Sequence, residues 1–226
     1  MEHIHWERLF DPNVAVEALP YIIQGLGYTL LISIISMVLG LFLGLFLALM
    51  RTSKRKLLRW PARMYISFMR GVPILVILFI LYFGFPVIGI QFTAVVAAII
   101  GFSINSAAYI AEINRSALSS IDEGQWEAAR ALNFSYWQTL FYIILPQATR
   151  VAIPPLTNVL LDLTKASSLA AMITVPELLH RARIFGAKEF DFMTSLIVVA
   201  LIYWGICSLM SVLQEYLERR YSTYLN

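Results

Sequence analysis

Two ionisable residues, Asp162 and Lys165, stand three apart inside the apolar segment that runs near Ile153 to Ile173. On a helix that spacing puts both side chains on one face. An unpaired charge at the centre of a bilayer costs roughly 2.5–3.5 kcal/mol on insertion scales, so such groups face a cavity or each other. One reading is a pocket for a zwitterion, in which Asp162 takes an ammonium group and Lys165 a carboxylate. The other is a mutually neutralising pair that packs a helix bundle. Asn158, Thr164 and Ser168 on the same segment, and Asn105 and Ser106 on an earlier one, either add hydrogen bonds to that pocket or join helices to one another. Other chemistry is not expected. His3, His5 and His180 have no metal-ligand spacing, Cys207 is a lone cysteine in an apolar run, and neither a Ser/His/Asp nor a His-Glu-x-x-His arrangement occurs. No metal site, catalytic residue or cofactor follows from these residues.

The elements that must position the pair are membrane spans. Of 226 residues, 59% are hydrophobic and only 14% charged, against roughly 45–50% and about 25% in soluble domains. The charges are also unevenly placed: 33 residues without one lie between Glu17 and Arg51, 41 between Arg70 and Glu112, and 23 between Asp191 and Glu215. A spanning helix needs roughly 20 apolar residues. The spacing predicts helices near Tyr21–Met50, Met64–Phe83, Phe92–Ala111, Ile153–Ile173 and Phe192–Leu213. The 41-residue stretch divides at Gly84-Phe85-Pro86 and Gly89, because glycine and proline together make a turn. Arg70 is placed to snorkel to the interface, and Gly40 and Gly44 carry a small-xxx-small spacing that lets another helix approach. The acidic N-terminal stretch and the long first apolar run are unlike a cleavable signal.

Basic residues orient the spans. Arg51, Lys54, Arg55, Lys56, Arg59 and Arg63 mark the first loop as cytoplasmic. Alternation then gives the inside segments eleven basic residues and the outside segments four. The expected fold is an all-α polytopic membrane helical bundle of about five transmembrane helices. Its N-terminus is outside, its C-terminus inside, and residues 1–226 form a single transmembrane domain. A net charge of +3 is ordinary for such a chain and points to no nucleic acid. No internal repeat is visible, and an odd helix count without one suggests that a pore needs a second chain.

The longest polar segment, residues 112–150, carries two helix signals. Asp122 is a cap for a helix through Gln125–Leu132, with Glu123 and Glu127 favourable in its first turns. Asn133 ends it in the left-handed region. Ser135 caps a second helix, Tyr136–Ile144, expected to stop at Pro146. Trp126, Leu132, Phe134 and Trp137 would then be exposed and need a partner surface. Glu112 and Arg115, three apart, suit a gate or a structural salt bridge. The outside connector, residues 174–191, has Pro176 placed to open a short helix.

Glu127-Ala128-Ala129, followed at the family's spacing by Ile143, Leu145 and Pro146, resembles the "EAA" loop of bacterial ABC-importer permease subunits. One departure is Asn133, where that family usually has glycine; asparagine tolerates the same backbone region. Gly71-Val72-Pro73 after Arg70, Ala107-Ala108-Tyr109, Gly124-Gln125 and Pro146-Gln147 resemble the polar amino-acid branch, from about Pro20 to the C-terminus. Gly27-Tyr28-Thr29, Ile121-Asp122-Glu123-Gly124-Gln125-Trp126, Val175-Pro176-Glu177-Leu178 and Ile202-Tyr203-Trp204 look most like cystine-type permeases.

The resemblance implies a type I importer permease in the bacterial cytoplasmic membrane, carrying a polar L-amino acid. It implies a coupling helix built on Gly124, Glu127, Ala128, Ala129, Asn133, Leu145 and Pro146 and docked on a separate ABC ATPase dimer. A second permease subunit and an external substrate-binding protein that meets the 174–191 connector complete the set. The Lys165-x-x-Ser168-Leu169 run belongs to a helix lining the translocation path, with Asp162 unusual there; Asp162, Lys165, Ser168, Asn158 and Asn105 are the candidate substrate contacts. The chain has no G-x-x-x-x-G-K-[ST], so ATP hydrolysis is expected on the partner and this chain is not an enzyme. Two other classes remain open: an ion-gradient-driven secondary transporter or channel using Asp162 and Lys165, and an assembly subunit with no path of its own.

Overall fold

The computed structural model describes residues 9–222; His3, His5 and Arg8 lie outside them. Helix α1 (Pro12–Ile22) starts at Asp11, whose carboxylate accepts from the Asn13 N–H at 2.8 Å, with Pro12 at the first helical position. A single 3-10 turn, Ile23–Gly25, passes into α2 (Leu26–Thr52). The first helical segment therefore begins well before the expected Tyr21, because Glu17 interrupts the apolar run but not the helix.

Helix α3 (Lys56–Gly71) ends at Val72, which is extended (φ −99°, ψ 131°) ahead of Pro73. Then come α4 (Ile74–Phe79), a π-turn over Ile80–Gly84 and a 3-10 turn over Phe85–Ile88. The expected continuous helix Met64–Phe83 is thus broken, since the Pro73 ring forbids the α region to the residue before it. The break at the far end falls at the expected glycines and proline: the π-turn ends at Gly84, Pro86 sits inside the 3-10 turn, and Gly89 stands at φ 83°. Helix α5 (Ala94–Ser119) runs past Ala111 and takes Glu112 and Arg115 into its last turns.

Next come α6 (Glu123–Ala131), α7 (Tyr136–Thr139), a π-turn over Leu140–Ile144 and α8 (Leu145–Ala166). Pro146 does not stop the second short helix as expected. The widened π-turn separates the proline ring from the preceding carbonyls, and the chain continues into α8. After a 3-10 stretch, Ser167–Ile173, and Thr174 at φ 67°, α9 (Leu178–Glu189) is capped by Glu177 rather than opened by Pro176. Phe190 at φ 56° leads into α10 (Phe192–Ser222).

Three segments, Pro12–Thr52, Ala94–Ser119 and Phe192–Tyr216, are long and apolar enough to cross a membrane, and the number reaches up to five when each of two bent helix pairs counts as one span. Among the described residues there is no strand. The described backbone divides into two compact units, each drawn from three stretches: 9–36, 73–102 and 161–210 in one, 37–72, 103–160 and 211–222 in the other.

In the first unit, Ala18 and Ile22 of α1 pack with Leu178, Ala182 and Phe185 of α9 and with Val198 and Val199 of α10. Gly25 is required by contact: a Cβ there would lie 2.5–2.7 Å from the backbone of Glu177 and Leu178. In the second unit, Ala48 and Ile66 pack on Ala108 and Ala111, and Ala117 packs on Ala148 and Ala152. The small-residue spacing of α2 receives α5. A Cβ on Gly44 would lie 2.7 Å from Ile110, and one on Gly40 would collide with Ser106.

Candidate functional site

Helix α6 is closed at both ends by local chemistry. The Asp122 carboxylate accepts from the Gly124 N–H at 2.7 Å. At the other end Asn133 stands at φ 60°, and its N–H donates to the Arg130 carbonyl at 3.0 Å while the Phe134 N–H donates to the Ala129 carbonyl at 3.0 Å. These two bonds are those of a Schellman cap. Ser135 and Gln138 form a reciprocal capping box on α7. Between the caps Ala129 is buried, whereas Gly124, Glu127 and Ala128 are exposed. Leu145 is half-buried and Pro146 exposed, and the Gln147 amide donates to the Gln125 side chain at 3.3 Å.

The aromatic residues of this corner divide. Trp126 is half-buried, stacked on Tyr136 with centroids 5.5 Å apart, and so is not the open surface expected of it. Leu132 and Trp137 are 70% and 64% exposed, with no cover from the chain itself. A cavity of about 610 Å³ opens in this corner, lined by Leu118, Ile121, Trp126, Arg130, Phe134 and Tyr136 among others.

In the same unit Glu112 takes two cations. Arg51 Nη1 lies 2.5 Å from Oε1, and Arg115 Nη2 lies 3.3 Å from Oε2. Arg51 has no part in the sequence-based pairing of Glu112 with Arg115. A signal existed: Glu112 is the sole acidic residue between Glu17 and Asp122, and the basic loop begins at Arg51.

On α8, Lys165 Nζ lies 3.6 Å from Asp162 Oδ1, with the side chains 59% and 76% exposed. Leu161, Leu163 and Thr164 are buried, so the pair occupies the face that the chain leaves uncovered. Ser168 is half-buried and its hydroxyl donates to the Lys165 carbonyl at 2.7 Å. Thr164 turns away from the pair, and its hydroxyl donates to Met210 Sδ at 3.6 Å. Asn158 and Asn105 belong to the other unit. Asn158 accepts from the Gln214 amide at 2.9 Å, and the Asn105 amide donates to the Met69 carbonyl at 2.8 Å.

Composition does not single out Glu177, which is fully buried yet ionisable. Its carboxylate accepts from the Tyr203 hydroxyl at 2.6 Å and from the His180 N–H at 2.7 Å. Arg181, on the same connector helix, donates to Gln24 at 3.0 Å and lies over the Tyr21 ring. Among the described residues no three His, Cys, Asp or Glu side chains gather as metal ligands.

Residues 40–223 match the family described as binding-protein-dependent transport system inner membrane component. The chain is 67% identical over 222 residues to the probable amino-acid ABC transporter permease protein YckA of Bacillus subtilis (strain 168), covering 98% of each. It is 42% identical over 207 residues to the L-cystine transport system permease protein TcyB of the same organism, covering 91% of this chain and 88% of that one. A chain from the crystal structure of an amino acid ABC transporter with histidines superposes with a TM-score of 0.89 at 34% identity, covering 93% of this chain and 98% of that one.

Proposed function

The chain belongs to the family of binding-protein-dependent transport system inner membrane components, as an amino-acid ABC importer permease, and we propose that within it the chain carries a polar L-amino acid of the L-cystine type. Asp162 and Lys165 contact the substrate's ammonium and carboxylate groups, with Ser168 as a further polar contact. The corner from Gly124 to Asn133, with Leu145 and Pro146, is the coupling element for a separate ATPase dimer. A second permease, identical or paralogous, completes the path in the cytoplasmic membrane. An external binding protein delivers the amino acid to the connector that holds α9.

One observation carries this reading. Asp162 and Lys165 are more than half exposed on a helix whose neighbouring residues are buried. Each would cost roughly 2.5–3.5 kcal/mol facing lipid. A face with that cost belongs against a water-lined path shared with a second subunit. The corner supports the coupling half: Leu132 and Trp137 stand in solvent beside Glu127 and Ala128, on a turn fixed by two caps.

The test is substrate-stimulated ATPase activity and uptake by the reconstituted complex, offered cystine, glutamine, arginine and histidine with the cognate binding protein. Lys165→Ala should abolish stimulation and uptake while leaving assembly and basal hydrolysis intact. Glu127→Lys or Ala129→Asp should lose the ATPase on co-purification. Uptake by liposomes that hold no ATPase would replace this reading with a gradient-driven transporter.

A further inference from the structure

Between Glu17 and Glu112 the sequence has no acidic residue, yet seven basic ones fall there. Arg51 is paired with Glu112, and Arg70 lies over the Tyr109 ring at 5.6 Å. Among the described residues no carboxylate pairs with Lys54, Arg55, Lys56, Arg59 or Arg63. Most of these sit on α3, whose 3.6-residue period sorts its side chains into three sectors. Tyr65, Ile66 and Met69 turn inward, on Ala48, Ala108 and Ala111, and Ala62 is buried on the same side of the helix. The Tyr65 hydroxyl fixes that face by donating to the Ile104 carbonyl at 2.7 Å. Leu57, Trp60, Met64 and Phe68 form an outer stripe, each between 56% and 88% exposed. Lys56, Arg59 and Arg63, at i, i+3 and i+7, lie between the two. Arg59 Nε is buried and has no acceptor, and a buried donor of that kind is rare without an unseen partner. Beside Arg63 a groove of about 500 Å³ runs along Trp60, Met64, Ser67 and Phe68.

We propose that this face of α3 is a binding surface for acidic phospholipids, with headgroup phosphates on Lys56, Arg59 and Arg63 and an acyl chain along the Trp60–Phe68 groove. The occupant follows from joining the two stripes. An acidic soluble protein would leave the outer apolar stripe in water. A zwitterionic lipid would leave five cations without net compensation. An acidic phospholipid meets both, and an amphipathic helix with an aromatic at its rim is the form that lies in a membrane interface. The guanidinium fork suits a phosphate bidentately, and each cation beside an acidic surface contributes about fivefold in affinity. This lipid binding does not depend on which amino acid is carried.

The experiment uses the full chain in nanodiscs containing brominated phosphatidylglycerol or brominated phosphatidylcholine at equal mole fraction, read by tryptophan quenching. Phosphatidylglycerol should quench more, the excess should vanish in Trp60→Phe, and high salt should weaken it. The K56Q/R59Q/R63Q variant, which keeps Arg51, Lys54 and Arg55 to hold topology, should lower the relative affinity for phosphatidylglycerol at least about tenfold, below the roughly hundredfold that three additive contributions would give. K56R/R59K/R63K should retain the preference, and R63Q alone should lose about fivefold if the triple variant fails to fold. Equal quenching of the wild type by the two lipids, or an excess undiminished in K56Q/R59Q/R63Q, overturns the proposal. So does a Trp60 shielded from both lipids, which would mean that a second protein chain covers the face.

Discussion

Asn133 holds the α6 corner at φ 60°, and its replacement by valine isolates what that backbone angle is worth. The left-handed region costs an L-residue about 1–2 kcal/mol, asparagine being one of the few side chains that visit it routinely. Valine, branched at Cβ, meets that cost in full, whereas glycine meets none. Two hydrogen bonds close only when the angle is kept, Asn133 N–H to Arg130 and Phe134 N–H to Ala129, both 3.0 Å. A loss of 1–2 kcal/mol multiplies the open population roughly 5–30-fold. Amide exchange followed by mass spectrometry on peptides spanning Ala129–Gln138 reads that population directly. Asn133→Val should exchange about 5–30 times faster at the Asn133 and Phe134 amides. Asn133→Gly should stay close to wild type, and the Asp122 end of α6 should be unchanged in both. Substrate-stimulated ATPase activity should fall with valine and persist with glycine. Wild-type exchange in the valine variant, or equally fast exchange in the glycine variant, would refute the assignment of the corner's stability to this one angle.

Gly44→Ala places a Cβ 2.7 Å from Ile110, whereas Gly27→Ala meets nothing within 4 Å. The first should cost about 1–3 kcal/mol by overpacking and lower the thermal midpoint in detergent; the second should leave it unchanged. Tyr203→Phe removes the hydroxyl that donates to the buried Glu177 carboxylate and should cost about 1.5–3 kcal/mol. Glu177→Gln keeps an acceptor for the His180 N–H and should lose less, both read from denaturant midpoints. Double-mutant cycles of Glu112 with Arg51 and with Arg115 should give couplings of about 0.5–3 kcal/mol. The Arg51 value should be the larger, because that pair is shorter and less exposed; equal couplings would contradict the geometry.

What could be read in the sequence was set by the range of the interaction. Asp122, Asn133 and Ser135 act on backbone groups within a few residues, so both short helices and the left-handed turn follow from their order. The number of spans follows likewise from charge spacing. The break before Pro73 was available to the same rule, yet the apolar run across it reads as one helix. Pro146 shows the converse, because a π-turn absorbs a ring that would end an ordinary helix. The ends of α1 and α5 lie beyond the apolar windows, where helices continue with charged residues on them. Arg51 with Glu112, Tyr203 with Glu177, and Gly25 against the Glu177 backbone join residues far apart in the chain, and no local pattern announces them. Asp162 and Lys165 stand out by type alone; their exposure needed coordinates.

The closure of the first unit fixes an order of events during synthesis. Its core needs α1 together with α9 and α10, and the Asp11 N–H reaches Thr194 Oγ1 across 183 positions of sequence. Contacts of that span form slowly and late. The opening helix must therefore wait, with Ala18 and Ile22 lacking their full set of partners, until both α9 and α10 have left the ribosome. A chain stalled before α10 would display an unclosed first helix, a distinct substrate for insertion factors and membrane proteases.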